Sequence, residues 1–184
     1  MSACATKLLF VADDPSLEVR VLRVLRRLPP LSGQPIRIGR MSGLRGDYGP
    51  SHAGTLLRER RILFDCVQAE FPRIFVHEVF HFVWLRAGNA ARIGFERILA
   101  REIDSGVRGE LGWSAELRKN KLTVADRRDR TRRWRDYCCE SFCDTAAWLY
   151  SGVKLHDEFT LAKRCRKIRR EWFNVMYSGS QLPI

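Results

Sequence analysis

The segment from Phe71 to Trp84, FPRIFVHEVFHFVW, sets His77, Glu78 and His81 inside a nearly unbroken apolar run. Buried together, these side chains present several donors and acceptors that an apolar core cannot satisfy. Two histidines four residues apart lie on one helical face about one turn apart, close enough for both imidazoles to hold one cation. Glu78 projects about 100° away and reaches a water beside that cation rather than the cation itself. Val76, Val79, Phe80, Phe82, Val83 and Trp84 around them predict a helix buried on most faces with a single wet slot. The chemistry of such a set is metal-assisted hydrolysis, with one zinc ion per chain and Glu78 as general base. Two core histidines satisfied by neighbours, with no metal, are the structural alternative.

A catalytic zinc takes three protein ligands and keeps one position open. Trp84 and Ala87 stand where the extended pattern H-E-x-x-H-x-x-G-x-x-H requires glycine and histidine, which excludes that subclass. His52 and His156 lie in loop-like sequence, so a carboxylate is the better third ligand. The run CCESFCDTAAWLY, Cys138 to Tyr150, places Glu140 and Asp144 one turn apart in a second apolar helix. Glu140 as ligand and Asp144 as acceptor for a histidine's outer N–H would satisfy both carboxylates. Glu96 and Glu102 are the rival ligands.

His77-Glu78-x-x-His81 followed by Glu140-x-x-x-Asp144 resembles the gluzincin branch of the zincin metallopeptidases, the thermolysin-like group. The resemblance covers residues 60 to 82 and 134 to 150. It implies that His77, His81 and Glu140 bind zinc, Glu78 activates water and Asp144 orients His77. It further implies hydrolysis of peptide bonds in a peptide or protein substrate. The implied fold is zincin-like α+β, a short mixed sheet packed on the metal-binding helix with a mostly helical C-terminal half. RERRILFD, residues 58–65, would be the strand along the cleft edge, able to add an extended peptide to the sheet. His156, Tyr137, Tyr150 and several arginines are the candidates for stabilising an oxyanion.

The elements that must position these residues fit one domain of 184 residues. Residues 1–86 would supply the sheet and the metal helix, and residues 87–184 a helical lobe carrying the third ligand. KLLFVA, residues 7–12, reads as a first strand. Asp14 and Pro15 cap and open a helix over SLEVRVLRVLRRL, whose apolar stripe is Leu17, Val21, Val24, Leu25 and Leu28. QPIRIGRM reads as a strand, residues 42–54 as a Gly-rich loop, and LLRERRILFD as one further strand. Helices follow over residues 90–103, 131–150 and 157–177, with a charged, partly mobile stretch over 114–129 between them.

No apolar run reaches the roughly 18 residues of a membrane span, which points to a soluble cytoplasmic protein with no membrane partner. The six cysteines, Cys4, Cys66, Cys138, Cys139, Cys143 and Cys165, read as reduced thiols in a chain with its own core. The formal net charge is +12, with basic clusters over 118–135 and 163–170. These suit solvated helix faces or an acidic or nucleic-acid-associated partner. A basic nucleic-acid-binding or regulatory module with little proteolysis is the alternative function.

Overall fold

The computed structural model describes residues 9–46, 49–65, 69–177 and 179–184. Cys4, Cys66 and the first two residues of the strand expected over 7–12 lie outside the described residues. The strand itself, β1, runs Phe10–Ala12. Helix α1, Pro15–Leu25, follows as its sequence dictates: Asp14 Oδ1 accepts from Leu17 N at 2.8 Å, Pro15 opens the first turn, and Leu17, Val21, Val24 and Leu25 are buried. The chain then forms β2 (Leu31–Ser32) and β3 (Ile36–Arg40), with β3 parallel to β1.

The expected Gly-rich loop contains a short hairpin, β4 (Arg45–Gly46) with β5 (Gly49–Pro50), and leads into β6, Ala53–Leu56. The single strand expected over 56–65 is instead a turn and a shorter strand, β7, Arg61–Phe64. Its charged start, Leu57 to Arg60, makes the turn of a β6–β7 hairpin, with Arg60 at a φ of 51°. That left-handed residue is stabilised by side-chain bonds to the carbonyls of Pro35 and Gln34. The four-stranded sheet has the order β1-β3-β7-β6, with β6 antiparallel to its neighbour and the other strands parallel. The strand expected along the cleft edge, β7, is therefore internal, and β6 is the edge.

Helix α2, Phe71–Arg86, packs beneath the sheet, burying Phe71, Phe75, Val76, Val79, Phe80, Phe82 and Val83. Helix α3 spans Asn89–Asp104. The stretch expected to be mobile holds two short helices, α4 (Trp113–Lys119) and α5 (Val124–Arg128), the latter closed by a capping box between Thr123 and Asp126. Helix α6, Arg132–Tyr150, lies along α2. The last helix, α7, spans Lys163–Tyr177, starting later than the sequence predicts because the backbone N–H groups of Thr160 and Leu161 bond the Glu110 carbonyl instead. A final strand, β8 (Leu182–Pro183), pairs in parallel with β2.

The architecture is mixed α+β. One aromatic-rich core joins the sheet, α2, α6 and α7 through Phe75, Phe80, Phe142 and Phe173, so residues from both halves of the chain share it. Burying each such side chain contributes about 1.5–3 kcal/mol. Among the described residues no helix is long and apolar enough to cross a membrane. Cys138, Cys139, Cys143 and Cys165 are free thiols.

Candidate metal centre

The seam between α2 and α6 opens into a cleft of about 370 Å³, lined by His77, Glu78, His81, Glu140 and Asp144 and walled by β6 and the start of α4. Thus all five residues singled out in the sequence come together. His77 Nε2 and His81 Nε2 face each other at 3.2 Å, and Glu140 Oε2 lies 3.4 Å from His77 Nε2. A tetrahedral zinc with bonds of about 2.0 Å to nitrogen and oxygen separates its ligand atoms by about 3.3 Å. These two spacings, both measured from His77 Nε2, match edges of that tetrahedron.

The outer nitrogens set the tautomers. His77 Nδ1 lies 2.7 Å from Asp144 Oδ1 and donates to it, leaving the Nε2 lone pair directed at His81. His81 Nδ1 lies 3.4 Å from Cys139 Sγ. Two bare lone pairs would repel at this distance, so either one ring carries a proton on Nε2 or a metal lies between them. Burial alone would lower both imidazole pKa values, but the Asp144 carboxylate pushes that of His77 well up, and Cys139 pushes that of His81 up to about 9. For Glu140 the order is reversed: burial favours the neutral acid, but the His77 hydrogen bond and the charges of His81, His77 and Arg118 hold it well below the usual carboxylate range. The two rings thus favour a positive charge and Glu140 a negative one.

Both oxygens of Glu140 are held from α4. The Ser114 hydroxyl donates to Oε2, and Arg118 approaches Oε1 at 3.5 Å while bonding Ser114 itself. Glu78 is held from the sheet edge, where Thr55 Oγ1 donates to its Oε2 at 2.6 Å. Asp144 is backed by Ala115 N–H at 3.4 Å and by Gly112, where a Cβ would come within 2.3 Å of both carboxylate oxygens. Thr55, Gly112, Ser114, Arg118 and Cys139 are the residues the sequence reading missed. Only Cys139 and Cys143, sharing a helical face with Glu140 and Asp144 beside them, left a signal.

The rivals go elsewhere. Glu102 binds Arg169 through both oxygens, at 3.1 and 2.6 Å, and Glu96 binds Arg130 and Trp134 Nε1. A different third donor is Cys143, whose sulfur lies with one nitrogen each of His77 and His81 in a group spanning no more than 4.8 Å.

The expected oxyanion donors also disperse. Tyr137 is buried and donates to Glu110 at 2.6 Å, Tyr150 stacks on Phe80, and His156 pairs with Glu70. Arg118 and Arg73 line the cleft. In the basic cluster 118–135, Arg118, Lys119, Arg127, Arg128, Arg130 and Arg132 each pair with a carboxylate of the fold.

No protein-family model, curated protein or solved structure matches this chain.

Proposed function

We propose that this chain is a zinc-dependent metallopeptidase of the gluzincin type, with His77, His81 and Glu140 as ligands. The observation that carries this reading is that His77 Nε2 has both His81 Nε2, at 3.2 Å, and Glu140 Oε2, at 3.4 Å, beside it at tetrahedral-edge distances in an open cleft. Bound there, zinc would supply Lewis acidity, polarising a scissile carbonyl and lowering the pKa of an adjacent water from about 15.7 toward about 7.

The protein's own groups do the rest. Thr55 occupies Oε2 of Glu78, leaving Oε1 to take a proton from the attacking water and hand it to the leaving amine. Asp144 keeps the His77 proton on Nδ1 and so keeps Nε2 available to the ion. Strand β6, paired on one side only, offers its other edge to an extended peptide, and exposed Trp113 at the rim offers an apolar face to a substrate side chain. Arg118, which lines the cleft beside Glu140, is the cation offered to a developing oxyanion.

A second reading rests on Cys143: a closed site of His77, His81, Cys143 and Glu140 would make the metal structural. Cys143 is fully buried and does not line the cleft, whereas Glu140 does, which favours the open arrangement.

Glu78→Gln separates the two. The substitution keeps shape and hydrogen-bonding reach but removes basicity, so zinc content should stay at one per chain while hydrolysis of an unfolded protein substrate falls at least about 100-fold. Zinc-loaded parent protein without peptidase activity would favour the closed site. Full zinc with undiminished hydrolysis in the variant would remove Glu78 as base.

A further inference from the structure

Helix α6 meets both histidines. Asp144 takes Nδ1 of His77, and one turn back the sulfur of Cys139 stands 3.4 Å from Nδ1 of His81. The two contacts flank Glu140 in sequence and serve the two imidazoles in the same way: each leaves Nε2 turned toward the other ring. The rings stand edge to face, with centroids 4.9 Å apart and planes at 75°. One turn further along the helix, the Cys143 thiol is fully buried.

We infer that Cys139 is the positioning residue for His81, its sulfur accepting the Nδ1 proton as the Asp144 carboxylate does for His77. The inference rests on the metal-centre reading above. Sulfur is a larger, weaker acceptor than a carboxylate oxygen, so the grip on His81 is softer than the grip on His77. Removing it should free the ring to rotate and to take the other tautomer, weakening the metal site without deleting a ligand.

The test compares Cys139→Ala, Cys139→Ser and Cys143→Ala with the parent, by zinc affinity in a chelator competition and by the absorption spectrum of the cobalt(II)-loaded proteins. Cys139→Ala should bind zinc about 10-fold more weakly, toward the lower end of the usual range for such partners. Cys139→Ser, which restores a hydroxyl acceptor at the same position, should recover to within a few-fold of the parent. The ligand-field bands of cobalt should shift in Cys139→Ala and recover in Cys139→Ser, a rescue that a purely structural role would not produce. The parent should lack a sulfur-to-cobalt charge-transfer band. Such a band, abolished in Cys139→Ala or in Cys143→Ala, would make that cysteine a ligand and overturn the inference. So would parent-like zinc affinity in Cys139→Ala. A parent that binds neither zinc nor cobalt removes the metal-centre reading and this inference together, whereas a parent that binds both while Cys139→Ala is unchanged removes the inference alone.

Discussion

Helix α6 carries two buried polar clusters on neighbouring faces, and they differ in whether their charges close. On one face Ser141 and Thr145 meet Arg169, which is fully buried and bonds Glu102, Glu110, both hydroxyls and nothing outside the fold. Tyr137 and Lys119 complete Glu110, so two carboxylates face two cations. Burial pushes the Glu110 carboxyl up, and the charge of Arg169 more than reverses this. On the other face Glu78, Glu140 and Asp144 gather around two imidazoles with the guanidinium of Arg118 beside Glu140. Arg73, also in the cleft, is matched by Glu70 and Glu158. Three carboxylates against one permanent cation leave two negative charges, which the two imidazoles balance when protonated and one divalent ion would balance when they are neutral. A closed cluster reads as architecture, and one short of a cation reads as a binding site.

The largest effect that would sharpen this comparison is on the closed side. Arg169→Ala leaves Glu102 and Glu110 buried without their partner and should destabilise the fold by about 3–5 kcal/mol. Urea unfolding would measure it, and zinc per folded chain should not change. Loss of zinc with stability intact would mean the two clusters are one site. Glu102→Gln should follow the same pattern, since its carboxylate serves Arg169 and not the histidines.

On the open side, stability should depend on the metal. Zinc at 100 times its dissociation constant should stabilise the parent by about 2.7 kcal/mol, and the gain should vanish in Glu140→Ala. Unfolding midpoints with and without zinc check this. An equal gain in the variant would move the third ligand to another donor, with Cys143 first in line.

These two faces also explain what was legible in the sequence. His77, Glu78, His81, Glu140 and Asp144 stood out because carboxylates and imidazoles at helical spacing inside apolar runs demand partners. That demand survives without knowing the fold. Which carboxylate served which cluster did not follow, because Glu102 is as buried as Glu78 and only the packing of α7 against α3 brings it to Arg169. The contribution of α4 was hidden for a different reason. Ser114 and Arg118 lie in a charged stretch with little apolar periodicity, yet they hold both oxygens of Glu140. Likewise, the β6–β7 turn lacks the glycine or proline that usually marks one, so the edge strand bearing Thr55 is divided between the loop expected to Gly54 and the strand expected from Leu56.

The smallest expected effect lies where the two clusters come closest along the chain, at Gly109-Glu110-Leu111-Gly112. Glu110 enters the closed cluster, and Gly109, at a φ of 78°, lies against the carbonyl of Thr160 on that side. Gly112 has an extended backbone that any residue adopts, so its requirement is proximity alone: a Cβ would sit 2.3 Å from both oxygens of Asp144. Gly112→Ala must push that carboxylate away, and the contact it endangers is the 2.7 Å bond to His77. Zinc affinity should therefore fall, by no more than Asp144→Ala itself, for which a loss of about 10- to 100-fold is expected. In the double variant the two losses should not add, because both act through one carboxylate. Chelator competition across the two singles and the double would show it. Additive losses would mean that Gly112 acts through the start of α4, on Ser114 and Glu140, rather than through Asp144.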